Sequence, residues 1–232
     1  MKAFVIGLSK IESSYTSAMA VIDQLTEYGF DVNFFEGTYG YDATALYEKE
    51  ARIPARYGIK TSNIGGKTVR LPWGDYEKTI SRPGVIGCFY SHYNLWKKCV
   101  ELDEPIFIFE DDVIFVRSYY PIEFDEVLMI CTGKAAYQHH YYSKFYDNPV
   151  GPPRAVELRN CSMPGAVGYG ITPKGAKKLV DAYQIEFMPA DTAMNKFVVN
   201  LECHNYLMGR AAIEDDGKVS LTRSKEWNQQ KQ

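Results

Sequence analysis

The 232-residue sequence is poor in the residues that build small stapled or metal-stapled folds. Its five cysteines (Cys88, Cys99, Cys131, Cys161, Cys203) are an odd number with no CxxC spacing, and its four histidines (His92, His139, His140, His204) form neither HExxH nor HxH. A disulfide framework and a zinc finger are therefore excluded, and reduced thiols in a cytoplasmic setting are expected. Long apolar runs are also lacking. The N-terminal stretch Ala3–Leu8 is too short for the apolar core of a signal peptide, and no later run approaches the roughly 20 residues needed to span a bilayer. Neither charge sign dominates, since 29 acidic against 26 basic side chains leave −3, which gives no overall electrostatic reason to bind nucleic acid. What the chain does have is 46% apolar residues, enough for one domain with a substantial core, and an unusual 14% of aromatics, 18 of them tyrosines.

Apolar periodicity predicts a buried strand at 3–8, a helix from about Tyr15 to Tyr28, and a second strand at Asp31–Glu36. Strand, short helix, strand implies a parallel crossover and hence an α/β sheet. From Pro83 to Leu102 two apolar stripes, one through Ile86, Phe89, Tyr93, Trp96 and Val100 and one through Cys88, His92, Leu95 and Cys99, predict a helix buried on most of its circumference. The next strand, 105–109 (PIFIF), is wholly apolar, as in a parallel sheet covered on both faces. Small residues at 165–171 suggest another strand, and 173–183 a helix. No repeat or linker divides the chain, so a single domain over 1–232 is expected.

Charge is unevenly placed. Lys49–Arg82 holds eight basic residues and three acidic ones, a net +5 inside an acidic chain, with glycines and prolines that mark it as loop. Either it is a solvated excursion, or it is a basic patch for a phosphorylated ligand, with Arg70 and Arg82 as acceptor contacts. A tyrosine-rich stretch at 134–164 carries His139, His140 and Tyr141, further candidates for acceptor binding.

Three consecutive carboxylates, Glu110, Asp111 and Asp112, end the apolar strand. Carboxylates there are costly without a cation, and ligands bind open α/β sheets beyond the strands' C-terminal ends. Strand alternation places Glu110 and Asp112 on one side and Asp111 on the other. Hard oxygen donors suit Mg²⁺ or Mn²⁺ held jointly with substrate phosphates, so a nucleotide diphosphate fits.

These residues resemble glycosyltransferase family 25, which includes lipooligosaccharide-type sugar transferases and collagen galactosyltransferases. The resemblance lies in the FVIGL strand at 4–8, in GVIGC at 84–88 with Ser91, His92 and Trp96, in Glu110-Asp111-Asp112, and in 165–169 followed by the helix containing Lys174 to Leu179. It implies a GT-A-type fold, with a Rossmann-like nucleotide-binding sheet mainly in 1–116 and an acceptor-binding half mainly in 117–232. It also implies metal-assisted transfer from a nucleotide sugar. Asp112 is then the first metal ligand, with Glu110 beside it on the donor or a metal-bound water and His204 as a late ligand. Donor contacts come from Glu110, Asp111, Ser91 and His92, although His92 also reads as a core histidine. Asp191 falls where the family carries a further Asp and is the catalytic base or a donor-sugar contact, or else the cap of a helix. The family's Arg after the first strand is absent from residues 9–20, and Lys10 is the substitute, offering a point charge in place of a planar fork.

Because the basic stretch needs a reason, the expected acceptor is anionic, such as a lipopolysaccharide core. Hydroxymethylated bases of viral DNA are the alternative, and a non-catalytic sugar-binding module is a further one. The location expected is the cytoplasm, at the inner membrane's surface for lipopolysaccharide or in a host cell for viral DNA.

Overall fold

The computed structural model describes residues 1–54, 62–64, 67–69, 82–115, 118–132, 156–157, 167–194 and 199–211. In chain order the elements are β1 (Lys2–Gly7), α1 (Glu12–Glu27), β2 (Asp31–Glu36), α2 (Gly40–Lys49), β3 (Ile53–Pro54), β4 (Ser62–Ile64) and β5 (Lys67–Val69). Then follow α3 (Pro83–Leu102), β6 (Ile106–Glu110), β7 (Val113–Phe115), β8 (Val127–Thr132), β9 (Val156–Glu157) and β10 (Gly168–Ile171). The last are α4 (Pro173–Ala182), β11 (Glu186–Phe187), α5 (Ala190–Ala193) and β12 (Cys203–Ala211). No helix among the described residues is long and apolar enough to cross a membrane.

Eight strands form one sheet in the order β2-β1-β6-β10-β8-β12-β7, with β9 on β12. β1 is parallel to both β2 and β6, as the strand-helix-strand pattern predicts. β10 then runs antiparallel to both β6 and β8, while β12 is again parallel to β8. The sheet is thus mixed rather than doubly wound throughout. Two glycines let β10 fit between its neighbours: a Cβ on Gly168 would lie 2.9 Å from Cys131 and Phe109, and one on Gly170 would lie 2.8 Å from the Phe124 ring.

The apolar run of β6 is buried on both faces. Ile106 and Ile108 pack with Phe89, Leu95 and Trp96 of α3, and Phe107 and Phe109 pack with Ala18, Val21 and Leu25 of α1. On α3 both predicted stripes are covered except at Val100, which is 37% exposed in the last turn. Pro83 opens that helix at a position where no amide is needed, and Asp103 closes it in the left-handed conformation.

Arg52 corrects the picture of a uniformly exposed basic stretch. It is 6% exposed, pairs with Glu50 at 2.5 Å, and donates to the carbonyls of Tyr183 and Glu186, which fastens β3 beside β11. Its guanidinium lies 4.7 Å from the Tyr93 ring centre and 5.2 Å from that of Tyr90. A planar, weakly hydrated cation suits such an aromatic cage, so the side chain is structural. Because Arg52 and Glu50 cancel each other, the net charge of Lys49–Arg82 is unchanged.

Candidate functional site

The parallel strands β1 and β6 and the loop after β2 end in one cleft, where open α/β sheets bind ligands. Its floor is Ile6, Gly7 and Leu8, one wall is the start of α3, and the other carries the three carboxylates. Close approach of backbones shapes it. A Cβ on Gly87 would sit 2.6 Å from the Thr38 carbonyl oxygen, and one on Gly40 would sit 2.6 Å from the Pro83 carbonyl carbon. Any side chain at either place drives α3 off the loop. Ser91 reinforces the contact by accepting from the Thr38 amide (2.8 Å) and donating to the Gly87 carbonyl (2.8 Å), so it positions the wall as well as lining it.

All three carboxylates face the cleft, but not by simple alternation. Glu110 closes β6 and points to α3, whereas Asp111 and Asp112 belong to the turn before β7, where the strand period no longer applies. Strand alternation therefore does not extend past Glu110, and Glu110, Asp111 and Asp112 all line one cavity. Asp111 accepts from the Ser14 hydroxyl, which itself accepts from the Leu8 amide at 3.0 Å, so this carboxylate ties the start of α1 to the loop after β1. Asp112 is 8% exposed.

Glu110 ends a chain of buried hydrogen bonds. The Trp96 indole donates to Tyr169 Oη at 2.9 Å, Tyr169 Oη meets His92 Nδ1 at 2.8 Å, and His92 Nε2 meets Glu110 Oε1 at 3.2 Å. Since indole can only donate, the one proton on Tyr169 Oη is best placed toward Nδ1; otherwise it is buried without an acceptor. His92 then carries its proton on Nε2 and donates it to Glu110. Burial pushes the imidazole down to about 4, so it is neutral at physiological pH. Burial likewise pushes the Glu110 carboxyl up to about 8, with the Asp111 and Asp191 charges adding to the effect. Cys88 completes this corner, its Sγ 3.6 Å from Glu110 Oε1 and its thiol pushed well up by burial.

Asp191 comes from the other half of the chain. It stands in the first turn of α5, whose N-cap is Pro189, and its Oδ1 accepts from the Thr192 amide at 2.8 Å. Its charge acts electrostatically on Glu110, His92 and Cys88, but it is not among the residues that line the cleft.

The remaining candidates are placed differently. Lys10 sits on the rim with its amine 5.1 Å from the Tyr39 ring centre, and Arg82 is exposed at the N-cap of α3. His204 is not brought to the carboxylates: it pairs in register with Leu128 on β8, at the level of Phe107, and three strand spacings of about 4.8 Å separate β12 from β6. Arg70, His139, His140 and Tyr141 lie outside the described residues. Sequence reasoning missed Ser14, Tyr169 and Cys88 as parts of the site. Cys88 and Tyr169 both fell inside the resembling motifs without being given a role, and Cys88 carried a further signal in its i,i+4 spacing to His92 on one helix face.

The cleft lining contains three carboxylates and, among the described residues, no lysine or arginine. Hard oxygen donors of this kind suit Mn²⁺ or Mg²⁺. Among the described residues, however, the ligand atoms that converge within 4.8 Å of one another are one each from Cys88, His92 and Glu110, so the lining is a mixed donor set.

Comparison with known proteins agrees with this geometry. The model of glycosyltransferase family 25, described as an LPS biosynthesis protein family, matches residues 2–147. A glycosyltransferase 25 family member of Aedes aegypti is 27% identical over 177 residues, covering 74% of this chain and 27% of the relative. The procollagen galactosyltransferase 2 of Homo sapiens is 27% identical over 161 residues, or 63% of this chain and 26% of the relative. Procollagen galactosyltransferase 1-A of Xenopus laevis is 32% identical over 154 residues, 60% of this chain and 25% of the relative. The chain therefore spans about a quarter of the length of these relatives. The family match covers the helix, the strand and the carboxylate turn that build the cleft, and extends over more than half of the sequence: the chain belongs to glycosyltransferase family 25.

Proposed function

We propose that the protein transfers a sugar from a nucleotide-sugar donor to a hydroxyl of an anionic acceptor such as a lipopolysaccharide core. The observation that carries this reading is the cleft at the ends of the parallel strands, whose lining brings Glu110, Asp111 and Asp112 together with the glycine-containing start of α3. Asp112 and Glu110 are the residues that would hold Mn²⁺ or Mg²⁺, which when bound neutralises charge developing on the leaving diphosphate. Asp111, bonded to Ser14, keeps the loop after β1 against the carboxylate turn. His92 fixes Glu110 through its Nε2 proton. The start of α3, with Gly84 and Gly87 in the lining, turns its amide end toward the diphosphate. Asp191, supplied from the acceptor half, takes the proton of the incoming hydroxyl. Lys10, over the Tyr39 ring, and Arg82, at the N-cap of α3, are the cations that would meet a phosphorylated acceptor or donor.

The galactosyltransferase names of the relatives make a UDP-hexose the first donor to try, and the description of the family supports a lipopolysaccharide-type acceptor. The net +5 of Lys49–Arg82 supports an anionic one. A panel of nucleotide sugars is assayed for hydrolysis with Mn²⁺ and with a chelator. Metal-dependent release of nucleotide from one donor supports the reading, and no release from any donor overturns it. Acceptor transfer is then measured across salt concentrations, where an unchanged KM for the acceptor rules out a polyanion.

A further inference from the structure

One corner of the cleft differs in chemistry from the carboxylate block. Cys88 and His92 are four residues apart on α3 and so project on the same face, against the end of β6 where Glu110 stands. One ligand atom from each, a sulfur, a nitrogen and an oxygen, lies within 4.8 Å of the other two. The separations, 3.6 Å for Sγ to Oε1 and 3.2 Å for Nε2 to Oε1, can be compared with a tetrahedral zinc centre. Bond lengths of about 2.3 Å to sulfur and about 2.1 Å to nitrogen and oxygen place such ligands about 3.6 Å and about 3.4 Å apart. Two of the three separations thus already match those of a bound ion, and the third, Sγ to Nε2, is within 4.8 Å. All three also line the cleft, which leaves a fourth position open to water or to a substrate oxygen.

We propose that Cys88, His92 and Glu110 form a thiophilic metal site that takes Zn²⁺, distinct from the hard-cation site at the carboxylate block but sharing Glu110 with it. A thiolate and an imidazole select zinc-like ions over Mg²⁺ and Mn²⁺, whereas the carboxylates alone do not. Occupancy by zinc therefore withdraws Glu110 from the other site. Binding rearranges protons: the thiol proton and any proton on Glu110 are released, and the imidazole proton moves from Nε2 to Nδ1, where it donates to Tyr169 Oη, at the cost of the acceptor that the Tyr169 hydroxyl proton has in the metal-free state. That oxygen has two lone pairs and can accept from both Trp96 and His92. Tyr169 thus becomes the partner that orients the ligating imidazole. The site stands on its own geometry and does not require the transferase reading.

Co²⁺ is the probe, because a thiolate bound to it gives a charge-transfer band in the near ultraviolet. The full chain, freed of metal, is titrated with Co²⁺, then challenged with Zn²⁺ or Mg²⁺, with circular dichroism confirming that each variant is folded. The expected result is a thiolate band that Zn²⁺ abolishes and Mg²⁺ leaves. Cys88→Ser removes the band, Asp112→Asn keeps it, and Tyr169→Phe keeps it with affinity weakened by about 10-fold to 100-fold. Absence of a thiolate band in the parent protein, its survival in Cys88→Ser, or its loss in Asp112→Asn overturns the proposal. A protein that hydrolyses no nucleotide sugar can still show the band, so the two readings fail separately.

Discussion

Two sets of carboxylates stand at opposite ends of the same sheet, and their surroundings are opposite too. Glu126, just before β8, is 1% exposed yet fully compensated: Lys178 lies 2.6 Å and Lys174 3.2 Å from its Oε1, and the Glu202 amide donates to its Oε2 at 2.8 Å. Burial would push this carboxyl up, but those donors together hold it below its usual value. Glu110, with a quarter of its side chain exposed, is less buried, its side-chain partners among the described residues are a neutral imidazole and a thiol, and it is pushed up to about 8. A carboxylate that serves the fold has its cations built in. Among the described residues the cleft lining holds no lysine or arginine, in contrast to the lysine-compensated Glu126, and this suits a site that takes a metal and a diphosphate.

The sharpest way to break this contrast is Asp112→Ala. If the cleft needs a cation, donor hydrolysis falls by about 100-fold or more, since metal stabilisation of the leaving group is worth several kcal/mol, while the melting temperature hardly moves. Hydrolysis at the parental rate would mean that the carboxylate block does not hold the cation. Removing the corresponding charge at the other end has the reverse outcome. Glu126→Gln strands two lysines and lowers stability by about 2 kcal/mol, less than for a fully buried pair because both lysines reach solvent.

The pH dependence of the two sites separates them further. Glu126 has a folded-state pKa below the unfolded value of 4.5, so its contribution is complete above that value and disappears as pH falls through the folded one. Urea midpoints of the parent and Glu126→Gln therefore differ at neutral pH and converge in acid. Glu110 has a raised value, so the metal-free protein keeps the corresponding stability below pH 4.5 and loses it as pH rises to about 8. Glu110→Gln should then be more stable than the parent in mild alkali, by about 1 kcal/mol after allowing for partial exposure, and equal to it in acid. The same loss of stability on Glu110→Gln as on Glu126→Gln would erase the distinction between the two ends.

Much of this was legible in the sequence, and the exceptions have physical reasons. The apolar periods located β1, α1, β2, α3 and β6 to within a few residues, and the carboxylates stood out because charge after an apolar strand is costly. What could not be read were relations set by register and crossing. The Glu110–His92 contact depends on α3 folding back over β6. The direction of β10 leaves no trace in a Gly-Tyr-Gly segment, although that direction puts Tyr169 opposite Ile108 and so beside His92. His204 was drawn toward the metal by residue type alone, and register places it elsewhere. Arg52 was counted as a patch member because a charge count does not see an aromatic cage assembled from residues 90 and 93.

The smallest effect asks which of the two lysines compensates Glu126. Lys174 is 56% exposed and divides itself between Asp125 at 2.6 Å and Glu126 at 3.2 Å, whereas Lys178 is 34% exposed, sits 2.6 Å from Glu126 and also donates to the Asn200 carbonyl at 3.0 Å. Ion pairs in solvent contribute about 0 to 1 kcal/mol, because water screens them and a long side chain must be held still. Lys174→Ala should therefore scarcely change stability, and Lys178→Ala should lower it by about 1 kcal/mol, read as melting temperatures at low and high salt. Salt should erase the first effect and leave part of the second. If Lys174→Ala costs more, compensation at Glu126 comes from the exposed cation, and proximity and burial no longer explain why this carboxyl is held down while that of Glu110 is pushed up.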